Sequence, residues 1–244
     1  MNEILKQQLA ADFCCEPQDV ECESHVFTVY ERREGRRRYH ETEECFLKIA
    51  AIRGKLLVSA NAVLLPWCEK ELGGCNGAWY FDAPQLAKLN AKLRTYDYEI
   101  ASVHPFYISE EQSGVDVSGY DIKEYDHDAI EQFRGDTRFC EAYSFEPDAP
   151  DMLGVSAARD GKLLGMAGAS ADSHMMWQIG INVEPFAKGQ GIGSKLTALL
   201  KNRVLSEGRL PFYGTAFSHI ASQNVAAKAG FRPTWCELST RKIK

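Results

Sequence analysis

The chain has 244 residues, 45% of them apolar and 25% charged, with a net charge of −6 at neutral pH. Such a length can bury a substantial core in one large domain or two modest ones, and the composition is that of an ordinary globular protein in water. The acidic balance argues against nucleic acid as the main ligand, because a phosphate backbone is bound by a basic field.

From the N-terminus, Ile4, Leu5, Leu9 and Phe13 recur at helical spacing. Three β-rich runs follow, HVFTVY, CFLKIAAI and KLLVSAN, the last two separated by the turn-like Arg53-Gly54-Lys55. Between the first two lies a basic cluster, Glu31–His40, read either as a solvated hairpin end or as an anion or partner contact. Gly73–Phe81 reads as a loop leading into a strand, or as a flexible wall over a cleft. Leu86, Leu89, Leu93 and Tyr96 share one face of an amphipathic helix, and EIASVHPFYI reads as a further strand. The polar stretch Ser109–Asp121 is the linker candidate, and it suggests a division into residues 1–118 and 119–244.

Beyond it, DAIEQFR reads as a helix, and two strands flank a turn at Asp160-Gly161. A third strand, MMWQIGINV, precedes a long helix whose apolar stripe is Ile192, Leu196, Leu199, Leu200 and Val204, with Gly208 at its C-terminal stop. A strand PFYGTAF, a short helix ending at Gly230 and a closing strand TWCELSTRK complete the order. This ββ–β–α–β–α–β pattern implies an α/β sheet with at least one crossover helix.

The eight cysteines form no C-x-x-C pair, and the histidines near them have no ligand spacing, so reduced thiols and no metal site are expected. The first residues lack an export signal's basic start, apolar stretch and cleavage site. The longest apolar run, Leu56–Trp67, is too short and interrupted to cross a bilayer. A cytoplasmic protein without a membrane partner is therefore expected.

The most informative stretch is NVEPFAKGQGIGSKL, Asn182–Leu196, a glycine-rich turn between a strand and a helix. A phosphate loop of the G-x-x-x-x-G-K-[ST] kind needs lysine directly after its last glycine, and here Ser194 intervenes. A dinucleotide fold needs G-x-G-x-x-G and a later acidic residue, but Gly189, Gly191 and Gly193 alternate strictly and PFYGTAF has no acid.

Val183, Pro185, Lys188, Gly191 and Gly193 fall on the pattern V-x-P-x-x-[RQ]-x-x-G-x-[GA], with lysine where arginine or glutamine is usual. Downstream, Ser222, Val225, Lys228, Gly230 and Phe231 fit [SN]-x-x-S-x-x-[VL]-[AY]-x-K-x-G-F. In both stretches the chain resembles the GNAT superfamily of N-acetyltransferases over about its C-terminal half. The resemblance implies an α/β (α+β) fold, a GNAT-like acyl-CoA N-acyltransferase mixed sheet flanked by helices, preceded here by a smaller α/β N-terminal domain. That first domain matches no motif and is expected to be a diverged acetyltransferase-like half or a cap.

The resemblance further implies acetyl-CoA as co-substrate. Ile181, Asn182 and Val183 would contact pantetheine, and Lys188, Gly189, Gln190, Gly191, Ile192, Gly193 and Ser194 the pyrophosphate, through backbone N–H groups and a helix N-terminus. The acceptor expected is a primary amine of a small molecule, attacking directly in a ternary complex; a protein N-terminus or lysine is an alternative, and a non-catalytic CoA-binding module another. Many relatives carry a tyrosine acid where this chain has Ala226, and a glutamate base on the strand where it has Trp177 and Gln178. His219 and Ser222 are the catalytic candidates; His219 could pass protons near neutral pH or bond locally or to the cofactor, and Ser218 or Ser222 could cap the helix. Tyr213 reads as core and His174 as exposed. The oligomeric state stays open, a homodimer among the options.

Overall fold

The computed structural model describes residues 1–38 and 45–243. Tyr39 and His40, the end of the basic cluster, lie outside the described residues. The chain divides into two compact units, Met1–Phe106 with Thr234–Lys244, and Tyr107–Pro233. This division differs from an expected boundary at 118/119 by the stretch after residue 106 and by the closing segment.

In the first unit, α1 (Glu3–Asp12) starts where Asn2 Oδ1 accepts the Leu5 N–H at 3.1 Å, and α2 (Pro17–Glu21) starts on a proline behind a capping box. β1 (Val26–Val29) runs parallel to β3 (Lys55–Ala60), which pairs antiparallel with β2 (Leu47–Ile52). The β2–β3 turn places Arg53 and Gly54 at φ +52° and +82°, the left-handed pair that a two-residue hairpin requires. The apolar run at residues 56–67 is shared between β3 and α3 (Leu65–Leu72), a helix the strand-like composition conceals. Gly73–Phe81 leads not into a strand but, through a 3-10 turn at Gly77–Trp79, into α4 (Ala83–Arg94). Gly77 must be a glycine because a Cβ there would lie 2.7 Å from the Gly54 carbonyl oxygen. Leu89 and Leu93 of α4 pack with Ile49, Leu56 and Val58. The sheet order is β1-β3-β2, then the strand Arg232–Lys242, then β4 (Tyr98–Ile108).

This unit encloses a buried ionic cluster. Asp12 accepts the Arg37 backbone N–H at 2.8 Å and pairs with its guanidinium, which also donates to Glu237 at 2.6 Å. Glu237 further accepts from Lys48 at 3.0 Å and from the Trp235 indole at 3.1 Å. The guanidinium sits over the Phe106 and Trp235 rings, 5.6 and 5.2 Å from their centroids. Burial alone would raise the Glu237 carboxyl; Arg37 and Lys48 overcome it and hold it at about 2.

In the second unit, β5 (Asp121–Asp126), β6 (Asp151–Arg159), β7 (Lys162–Ser170) and β8 (Met176–Val183) pair antiparallel in sequence, with α5 (His127–Ile130) after β5. β8 is followed by α6 (Ile192–Ser206), β9 (Leu210–Gly214) parallel to β8, and α7 (Ile220–Lys228); the Arg232–Lys242 strand is β10. α6 is the crossover that a parallel pair demands. The polar stretch expected to be a linker is strapped along α6: Ser113 N–H donates to Asn202 Oδ1 at 3.0 Å, Asn202 Nδ2 to the Ser113 carbonyl at 2.8 Å, and Lys201 Nζ to Ser113 Oγ at 3.0 Å.

One face of this sheet packs Leu164, Ala167, Ile179 and Phe231 with Leu196 and Leu200 of α6. The other packs Tyr125 and Met166 with Ile130, Phe139 and Tyr143. On that second face Gly154, Gly168 and Gly180 are cross-strand neighbours. A Cβ on each would overlap, in turn, the Tyr143 hydroxyl, the Ala142 carbonyl oxygen and the Glu141 carbonyl oxygen. The three glycines thus form a lane in which the backbone of 141–143 lies directly on the sheet. Asn182 secures it, its Oδ1 accepting the N–H groups of Glu141 at 3.0 Å and Ala142 at 2.8 Å. Among the described residues no helix is long and apolar enough to cross a membrane.

Glu237→Gln breaks a buried ion pair, and a loss of about 3–5 kcal/mol is expected by urea unfolding at pH 7. The folded carboxyl titrates at about 2, against ~4.3 unfolded. Its contribution is therefore complete above ~pH 4.3 and lost as pH falls toward 2, so the advantage of wild type over the variant must shrink across that window. Gly180→Ala should cost about 1–3 kcal/mol and speed hydrogen exchange at the Glu141 and Ala142 amides, because the new methyl lifts that segment off the sheet.

Candidate functional site

β8 and β9 run parallel only from Met176, Trp177 and Gln178 to Leu210, Pro211 and Phe212. β8 continues to Val183 and β9 to Gly214, but the ladder between them ends there. A cleft of about 470 Å³ occupies the fork, a volume ordinary for a small-molecule site. Ile181, Asn182 and Val183 line it from β8, Lys188, Gly189, Gly191, Ile192, Gly193 and Ser194 from the turn and first turn of α6, Tyr213 from β9, and His219, Ser222, Asn224 and Lys228 from the α7 side.

The glycines of the turn differ in purpose. Gly189 and Gly191 have φ +81° and +78°, and a Cβ on either would meet open space, so backbone conformation is what selects them. Gly191 is the N-cap of α6. Gly193 lies inside the helix with a normal φ; a Cβ there would stand 3.3 Å from both Val183 Cγ2 and Val225 Cγ2. Its small size lets the first turn of α6 sit tightly between β8 and α7. The Ser194 hydroxyl donates to the Gly191 carbonyl at 2.9 Å, and Gln190 Nε2 to the Phe186 carbonyl at 3.2 Å, so both side chains brace the turn. The first N–H groups of a helix have no intrahelical partner, and here they open on the cleft with the positive end of the helix dipole. Lys188 is exposed at the same rim.

Of the sequence-derived residues, Ile181, Asn182, Val183, Lys188, Gly189, Gly191, Ile192, Gly193 and Ser194 come together around one cavity, whereas Gln190 does not line it and turns its side chain to Phe186. The Asn182 Oδ1 is committed to the Glu141 and Ala142 amides. His219 is exposed on the cleft wall and stands at the N-cap of α7 without a side-chain capping bond; Ser222 does not cap either. Instead the Ser222 hydroxyl is 2.8 Å from that of Tyr213. Tyr213 is 3% exposed and packs on Phe231 as a core residue would, yet it also lines the cleft. Burial raises its phenol; Ser222 pulls it down by hydrogen bonding, and the charge of Glu141 raises it further. His174 is exposed, near Arg209 at 3.4 Å.

Sequence reasoning passed over Glu141, Asn224 and Lys228 as cleft residues. The Glu141 carbonyl stands over Gly180, the β8 residue before Ile181, and its side chain is exposed. The signal available for it was indirect: isolated glycines inside three successive strands mark a close backbone approach.

Residues 120–231 match the sequence profile of the family described as acetyltransferase (GNAT) family. Among solved structures, a GCN5-related N-acetyltransferase-like protein from Streptococcus suis is 14% identical over 97% of this chain and 98% of that one, with a TM-score of 0.50. A GCN5-related N-acetyltransferase from Kribbella flavida is 17% identical over 66% of this chain and 65% of that one (TM-score 0.46). A tandem GNAT protein from the clavulanic acid biosynthesis pathway is 16% identical over 67% and 60% (TM-score 0.48). The chain therefore spans less than two thirds of the length of the latter two proteins. No curated protein matches it. With both signatures in one cleft and the profile match around them, residues 120–231 are an acyltransferase domain of the GNAT family.

Proposed function

We propose that the protein transfers an acetyl group from acetyl-CoA to a primary amine of a small molecule, both substrates being bound together. The observation that carries this reading is the fork between β8 and β9, opening beside a glycine-rich helix N-terminus. The residues there suit acetyl-CoA. Left-handed Gly189 and Gly191 turn backbone N–H groups outward, the α6 dipole favours an anion, and Lys188 adds a positive charge, which together would hold a pyrophosphate. The β8 edge from Ile181 to Val183, beyond the ladder with β9, is a surface that the amides of an extended pantetheine can join as a strand would.

Bound acetyl-CoA supplies an activated acyl carbon and a thiolate leaving group; the rest falls to the chain. An N–H of the Ile181–Val183 edge would steady the charge that develops on the acyl oxygen, and one shared cleft brings amine and thioester together. Tyr213 is assigned as the proton donor to the departing sulfur. Its phenol is kept protonated by burial and its hydroxyl is oriented by Ser222. This pair occupies the place in the chemistry that Ala226 leaves vacant. The exposed His219 is assigned a contact with the bound co-substrate.

Wild-type protein should release free thiol from acetyl-CoA only when an amine is added, tested over polyamines, aminoglycosides and short peptides. Acetyl-CoA binding without any amine-dependent release would overturn transfer in favour of a binding module. Gly191→Asp sets a carboxylate against the phosphate site and a Cβ on a left-handed residue, so calorimetry should show acetyl-CoA binding abolished. Tyr213→Phe should lower kcat about 10²-fold with little change in KM for acetyl-CoA. His219→Ala should show the reverse split, with KM raised and kcat kept.

A further inference from the structure

The cleft is lined by charges of both signs. Lys188 lines it from the glycine turn, Lys228 from α7, and Glu141 beside Gly180. Among the described residues that line it, Glu141 is the one carboxylate. Acids close by are neutralised: Asp136 pairs with Arg138 at 2.7 Å, and Glu184 with the same arginine at 3.5 Å. The Glu141 carboxylate has no hydrogen-bond or ion-pair partner among the described residues, and it shares the cleft with Tyr213, whose phenol its charge raises.

The backbone that carries it is, by contrast, tightly held. Asn182 grips the N–H groups of Glu141 and Ala142, and the Glu141 carbonyl fills the space where Gly180 lacks a side chain. An unneutralised carboxylate on a fixed backbone adds nothing to the packing of the fold. On the wall of a cleft it is a counter-charge placed for a cation.

We propose that Glu141 anchors the acceptor, binding its protonated amine and accepting the first proton that the nitrogen loses. The acceptors selected are aliphatic ammonium compounds with no carboxylate beside the amine, since such a carboxylate would face Glu141. This assignment rests on the acetyl-transfer reading for its chemistry, but not for its binding. The protons balance. The ammonium gives one proton to Glu141, and its freed lone pair forms the C–N bond as the C–S bond breaks. Tyr213 hands its proton to the sulfur, and the second proton leaving nitrogen restores the phenol. Glu141 passes its own proton to water, so one ammonium and one thioester become an amide, a thiol and a released proton.

Pentylamine, norleucine and 1-pentanol share a carbon chain but differ in charge at one end, and they serve as probes. Each is titrated by calorimetry into protein saturated with CoA, and pentylamine and norleucine are then assayed for thiol release from acetyl-CoA. Wild type should bind pentylamine about tenfold or more tightly than the other two, as a charge-assisted contact implies. Glu141→Gln should erase that preference and Glu141→Asp keep part of it, with CoA affinity and melting temperature unchanged in both. Pentylamine binding that is equal in wild type and Glu141→Gln, or undetectable in both, overturns the anchor. Thiol release that depends on pentylamine yet ignores Glu141→Gln also overturns it while acetyl transfer stands. Glu141-dependent binding without thiol release keeps the anchor and removes acetyl transfer.

Discussion

Parallel strands are held together by an evenly spaced ladder, and the cleft of the second unit exists because that ladder stops early. After Gln178 and Phe212 the two strands stay extended but no longer pair. The fork is kept open by what is wedged beside it. The first turn of α6 fits between β8 and α7 only because Gly193 has no side chain to meet Val183 and Val225. An added methyl there would press on both walls at once. The approach of the helix N-terminus to β8 and α7 follows from this one close fit.

On the opposite face of the sheet, closeness is used in another way. Three glycines in register let a stretch of irregular backbone lie where side chains would normally stand, with Asn182 satisfying the amides it brings. Loops are usually too mobile to hold a charge accurately. Set in this lane, a loop residue acquires the precision of a strand residue, which is how the backbone of Glu141 is fixed beside the cleft.

The elements that could be read from the sequence are those whose signal is local. The alternating glycines, the apolar stripe of α6 and the Gly230-Phe231 stop each announce themselves within a dozen residues, and the two signatures named the fold. What stayed hidden depends on partners far away in the chain. β5 reads Asp-Ile-Lys-Glu-Tyr-Asp and carries the charges expected of an edge strand, so periodicity does not reveal it. The polar stretch after residue 108 has a linker's composition, but its hydrogen bonds go to Asn202 and Lys201. Tyr213 looked like core because it is buried and packs on Phe231, yet it also lines the cleft. The three strand glycines were visible, yet what they accommodate, residues 141–143, could not be identified without the register.

The ionic cluster of the first unit joins residues from opposite ends of the chain, Arg37 and Glu237 being 200 positions apart. Translation delivers residues in order, so the guanidinium and Asp12 emerge long before their second carboxylate. At ~5–20 residues per second the interval is about 10–40 s. During that wait the whole of Tyr107–Pro233 is synthesised, while the first unit still lacks β10, the strand that lies between β2 and β4. The unit that begins first is thus the one that closes last, and Glu237 arrives as its latch.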